Sequence, residues 1–166
     1  RYKKNLQTQN GLSIFISQSG ETADTLAALR YAKKNKSMIL SLVNNKESSI
    51  ARESDYVLTI AAGPEIGVAS TKAFTAQLSI LSCLCLLIGS STKSIEYNLE
   101  KKIIESLIEI PSNMSNVLNL TEKIKKLCKH IYKAKSVLYL GRGSCFPIAM
   151  EGALKLKEIS YIHAEG

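Results

Sequence analysis

Ser17, Gln18, Ser19, Gly20, Glu21 and Thr22 gather three hydroxyls and a glycine between the apolar run 12–16 and a helical pattern reaching residue 34. A strand that ends in small hydroxyl residues at a helix N-terminus aims free backbone N–H groups, hydroxyl donors and the positive end of the helix dipole at one point. Such a point binds an anion, and phosphate is the natural guest. Plain helix capping by Ser or Thr is the simpler reading of the same residues. Ser70 and Thr71, which follow the Gly67 loop and open a later helix, add two more hydroxyls. In an open α/β sheet ligands bind outside the carboxyl ends of the strands, where both loops would emerge.

A second group joins acid and base. Glu151, Lys155 and Glu158 fall at i, i+4 and i+7, on one face of a helix. Abstracting a proton beside a carbonyl or imine requires a carboxylate next to a cation that can hold developing negative charge. The spacing alone equally describes an exposed ion pair worth about 0.3 kcal/mol.

The elements that must position these residues alternate between short apolar runs and helical patterns, which predicts an α/β, three-layer fold, a parallel sheet flanked by helices. Strands are expected at 12–16, 38–43, 56–60 and 136–140, with Asn44-Asn45 as a turn pair. Helices are expected at 23–34, with Leu26, Ala27 and Leu29 toward the sheet, at 49–53, from about 70 to 88, and from Pro147 to about 160. Between them, 95–110 repeats apolar residues at Ile95, Leu99, Ile103 and Leu107, one of two amphipathic helices expected to be separated at Pro111-Ser112. The second half opens as the first does, with strand, glycine-hydroxyl loop (Gly141 to Ser144) and helix, a weak internal repeat. The polar link at 90–94 sets the expected boundaries: 1–90, 91–135 as a helical connection, and 136–166.

Composition narrows the function classes. The net charge of +8 sits at Arg1 to Lys4 and in the lysine-rich helices, away from the loops, and basic runs such as 123–126 lack the interleaved aromatics that stack on bases. Nucleic acid is not an expected partner. Cys83, Cys85, Cys128 and Cys145 show no CxxC spacing and His130 and His163 lie far apart, so neither metal nor other cofactor is expected. Cys83 and Cys85 read as small core residues, and a reducing cytoplasm as the compartment. The apolar run 78–88 is shorter than the roughly 20 residues of a membrane helix, so no membrane is expected. No GxxxxGK[ST] phosphate loop occurs, and Gly141-Arg142-Gly143 lacks the third glycine of a dinucleotide fingerprint.

Three blocks, 17–25 (SQSGETADT), 65–74 (EIGVASTKAF) and 151–165 (EGALKLKEISYIHAE), resemble the isomerase part of the glutamine:fructose-6-phosphate amidotransferase family. The likeness spans nearly the whole chain and is loosest at 93–135. It implies paired sugar isomerase (SIS) domains, with most of one and the start of a second here. It also implies that Ser17, Gln18, Ser19 and Thr22 hold a sugar phosphate, that Val68 and Ser70 flank the sugar, and that Glu158 moves a proton between C1 and C2 with Lys155 beside it. The implied reaction converts fructose 6-phosphate and glutamine-derived ammonia to glucosamine 6-phosphate, the first step toward UDP-N-acetylglucosamine. The implied partners are a glutaminase domain of the same chain and a second copy forming a homodimer. A ring-opening histidine and a Schiff-base lysine are expected beyond Gly166, His163 not matching that histidine's motif, and the 166 residues alone are expected to be inactive. A sugar-phosphate sensor without catalysis, and an SIS deglycase or isomerase, are the alternatives. Glu158 with Lys155 favours an enzyme over a sensor, because a sensor needs no base.

Overall fold

The computed structural model describes residues 11–166; the basic stretch from Arg1 to Lys4 lies outside the described residues. The chain forms two compact units, one running to Ile66 and including Ser70–Ser94, the other comprising Gly67–Ala69 and Ile95–Gly166.

In the first unit β1 (Leu12–Ser17), β2 (Met38–Val43) and β3 (Tyr56–Thr59) form a parallel sheet in the order β1-β2-β3. The pairing runs from Leu12 opposite Met38 to Ser17 opposite Val43, and from Leu40 opposite Tyr56 to Val43 opposite Thr59. A parallel pair needs a crossover, supplied by α1 (Ala23–Lys34) and α2 (Ser49–Glu53). β2 lies in the middle and is the apolar strand, with Ile39, Leu42 and Val43 at 0% exposure. Strand alternation splits the sheet into two faces. On one, Ile39 and Val43 pack with Leu29, Ala32, Ile50 and Ala51, and Phe15 and Leu26 close the cluster. On the other, Leu12, Ile14 and Ile16 of β1 stay 41–49% exposed. Leu26 and Leu29 turn inward as expected, whereas Ala27 is exposed and Ala32, one further turn along, takes the buried place. Asp55 extends the β2–β3 ladder: its carboxylate accepts the Ile39 N–H at 2.8 Å and its own N–H donates to the Ile39 carbonyl at 3.0 Å. Outside, Arg30 grips Glu53 across α1 and α2 at 2.5–3.1 Å, an exposed pair that contributes little to stability.

The last helix of this unit, α3 (Lys72–Ser91), is longer and more apolar than the run 78–88 suggested. Its 20 residues contain an 18-residue window of mean hydropathy 1.8, so by length and composition alone it could cross a membrane. The polar residues that interrupt it do not break its apolar character, because Thr75, Ser79 and Ser82 donate their hydroxyls to the carbonyls of Lys72, Thr75 and Leu78. Cys83 and Cys85 are exposed, not core residues, since no described element packs extensively on α3.

The second unit contains α4 (Tyr97–Leu118), α5 (Thr121–Ile131), β4 (Ser136–Leu138), α6 (Cys145–Ser160) and β5 (His163–Glu165). Two expectations fail here. The helix does not stop at Pro111-Ser112 but runs through Pro111 to a break at Asn119-Leu120. Pro111 removes one backbone donor, and the apolar periodicity on either side keeps the helix continuous at that cost. The segment 163–165, for which no strand was expected, pairs in parallel with β4, Ser136 opposite His163 and Leu138 opposite Glu165. Three residues are too few to show an alternation, which is why the strand left no pattern.

Pro111→Ala restores the missing N–H donor and relieves the helix interior by up to about 3 kcal/mol. The expected outcome is slower amide exchange at residues 107–115, measured by hydrogen exchange.

Candidate functional site: an anion cradle and an acid-base helix

The cradle is a turn that the sheet cannot avoid making. β1 ends at Ser17, which is 6% exposed, and the chain reverses through Gly20 at φ +70 before α1 begins. Ser17 Oγ accepts the Gly20 N–H at 3.0 Å and lies 2.9 Å from Thr22 Oγ1, while Ser19 Oγ accepts the Glu21 N–H at 3.2 Å. Thr22 occupies the N-cap position of α1 without bonding the helix through its side chain. Simple capping therefore does not account for this hydroxyl. The first N–H groups of α1, which have no intrahelical partner, share the same end with it.

The turn is held from behind by the β2–α2 connection. The Asn44 N–H donates to the Gln18 carbonyl at 3.1 Å and the Ile50 N–H to the Gly20 carbonyl at 3.0 Å. The Glu21 carboxylate accepts the Ser49 N–H at 2.7 Å, and this bond chiefly holds Glu21 below the usual carboxylate range. A Cβ on Gly20 would sit 2.0 Å from Ser48 Oγ, so only glycine fits. Ser48 is itself 0% exposed and caps α2 by accepting the Ala51 N–H at 3.3 Å.

The loop after β3 is fixed at both ends. At its root, Asn44 Nδ2 donates to the Gly63 carbonyl at 2.6 Å and Asn44 Oδ1 accepts the Ala62 N–H at 3.0 Å. At its exit, Glu65 accepts the Thr71 N–H at 2.7 Å and the hydroxyls of Ser70 and Thr71 at 3.3 and 3.4 Å. Ser70 is half-buried, whereas Val68 is 95% exposed. Asn44 and Glu65 escape a sequence reading in which Asn44 is only a turn former. The one signal for Glu65 is an acid shortly before two hydroxyl residues at a helix start.

In the second unit α6 carries the acid-base group. Lys155 Nζ lies 2.7 Å from Glu158 Oε2 and 3.4 Å from Glu151 Oε1, and the three side chains are 23–34% exposed. Glu151, Lys155 and Glu158 thus share one ammonium between two carboxylates, more than the single exposed pair that spacing allowed. The hydrogen bond to Glu158, with both nearby carboxylates, raises the Lys155 pKa above the ordinary lysine value. The helix seats closely because Gly152 leaves its face open to the Tyr139 ring, which a Cβ would meet at 2.8 Å. Ala149 and Ala153 bury the same helix, and Tyr161 ends it in a left-handed conformation at φ 61. A carboxylate held beside a charged amine can take a proton from carbon and return it.

The remaining candidates carry no chemistry of this kind. His163 lies 3.5 Å from Glu165. No group of three or more His, Cys, Asp and Glu residues able to hold a metal occurs among the described residues. A recess of about 550 Å³ lined by Ile124, Cys128 and Tyr132 with lysines at its rim is the open apolar side of α5.

A family model described as SIS domain matches residues 1–87 and 130–166. The chain is 55% identical over 166 residues to a glutamine-fructose-6-phosphate aminotransferase (isomerizing) of Bradyrhizobium diazoefficiens, covering all of this chain and 27% of that relative. It is also 55% identical over 167 residues to the enzyme of the same name from Rhizobium meliloti, covering 28% of it. The chain thus spans little more than a quarter of the length of these curated relatives. Among solved structures it is similar to the C-terminal domain of glucosamine-fructose-6-phosphate aminotransferase from Francisella tularensis, at a TM-score of 0.94 and 44% identity, covering 99% of this chain and 47% of that one. Strand order, helical layers and family match agree: the chain belongs to the SIS domain family.

Proposed function

We propose that this chain is the isomerase part of a glutamine:fructose-6-phosphate amidotransferase, acting on fructose 6-phosphate to form glucosamine 6-phosphate. The observation that carries the reading is Lys155 held between Glu151 and Glu158 on a partly shielded helix face. A sugar-phosphate sensor needs the cradle but has no use for this group. The identity to aminotransferases over the whole chain supports the same reading.

In this proposal Ser17, Gln18, Ser19 and Thr22 grip the phosphate with hydroxyls and backbone N–H groups, and Val68 and Ser70 flank the sugar. Once ammonia has condensed at C2, Glu158 removes a proton from C1 and returns it at C2, and a single carboxylate suffices for both transfers. The Lys155 ammonium orients Glu158 and offsets the negative charge that develops on the substrate. Ammonia reaches the site from a glutaminase domain, and the enzyme works as a cytoplasmic homodimer. The residues 1–90 belong to a first SIS domain and 136–166 to a second, with 91–135 as the connection; the family match, which leaves 88–129 unmatched, supports this division. On this reading α3 is a helix of the first domain and does not span a membrane.

Two variants of the full-length protein test these roles. Glu158→Gln is expected to keep fructose 6-phosphate binding, measured by calorimetry, while ketose-aldose conversion falls about 100- to 10,000-fold. Unchanged turnover would remove Glu158 from the reaction. Ser17→Ala removes a hydroxyl from a charged ligand, and the KM for fructose 6-phosphate is expected to rise about 10- to 100-fold. Thermal melting separates that loss from unfolding.

A further inference from the structure

The two hydroxyl clusters of the first unit have opposite hydrogen-bond polarity. In the exit loop, the Glu65 carboxylate is held below the usual carboxylate range, first by the Thr71 N–H and then by the Ser70 hydroxyl and further donors. An ionised carboxylate only accepts hydrogen bonds. Ser70 and Thr71 therefore direct their hydroxyl protons to Glu65, at 3.3 and 3.4 Å, and keep only lone pairs for anything else that approaches. In the cradle the assignment is reversed. Ser17 Oγ accepts the Gly20 N–H at 3.0 Å and one hydroxyl proton bridges Ser17 and Thr22 at 2.9 Å, which leaves the second proton of the pair to donate to a ligand at the positive end of α1.

A phosphate presents acceptors, whereas sugar hydroxyls present donors as well. Two hydroxyls whose protons are committed to a carboxylate offer only lone pairs, which suit the second and not the first. We propose that Glu65 is a specificity-determining positioning residue, which fixes Ser70 as a hydrogen-bond acceptor so that the β3 exit loop takes the hydroxyl-bearing end of the sugar phosphate and leaves the phosphate to the cradle. This rests on the sugar-phosphate reading above and adds a direction to it. Glu65 acts through Ser70 and Thr71 and needs no contact with the reacting carbons.

The test compares two ligands in the full-length protein: KM for fructose 6-phosphate, and Ki for inorganic phosphate as a competitor that engages the cradle alone. In Glu65→Gln the amide supplies donors as well as an acceptor, and Ser70 is released to point either way. The ratio of KM to phosphate Ki is expected to rise about tenfold, with phosphate inhibition within twofold of wild type. A second variant, Glu65→Ala, is expected to raise the ratio at least as far and to speed amide exchange at Thr71 while the melting temperature holds. An unchanged ratio in both variants, whether the two ligands are bound normally or weakened together, overturns the inference and leaves Glu65 a loop anchor. The functional reading is judged separately and first: wild-type protein that neither binds nor converts fructose 6-phosphate overturns that reading and this inference with it.

Discussion

Everything in the first unit depends on the parallel pairing of β1, β2 and β3. Parallel strands emerge at the same edge, so residues 17–22, the turn at Asn44 and the loop from Ala61 to Thr71 leave the sheet side by side. Their proximity is a consequence of chain direction, not of any attraction between the loops. The central strand β2 is covered on both faces, with Ile39, Leu42 and Val43 fully buried. Asn44, the first residue beyond β2, is placed between the other two loops and uses its backbone N–H for one and its side-chain amide for the other.

Charge follows the same logic of supply by the fold. The cradle gains positive potential from the start of α1 without any lysine or arginine, which explains why the net charge of +8 sits elsewhere and steers nothing in this loop. The acids near the cradle are not free either. Glu21 and Glu65 are each tied to a backbone N–H at a helix start, where a carboxylate is favoured, and their charge is largely answered locally. α6 differs, since its charges answer one another, and a shared ammonium leaves one carboxylate in excess.

Much of this was legible in the sequence. The runs 38–43 and 49–53 matched the observed β2 and α2 because both are bounded by Ser, Asn or Asp residues that stop an element locally. The cradle residues and the Glu151-Lys155-Glu158 face were visible because their spacing is local. What was hidden is set by distant contacts. A proline at position 111 breaks an isolated helix, yet an amphipathic helix of 22 residues absorbs it. The strand β5 exists only because β4 offers a ladder, and Asn44 and Glu65 act through partners 5 to 26 residues away. Cys83 and Cys85 looked like core residues because apolar composition signals burial without saying what does the burying.

Gly20 and Ser48 touch so closely that the two positions form one unit of variation. A methyl group at position 20 has no space, and any side chain at position 48 larger than serine would push the cradle off its backing. The floor of the candidate anion site therefore belongs to the α2 N-cap as much as to the loop that names it. Reshaping this site for a different ligand begins with the buried serine, which would touch no ligand at all.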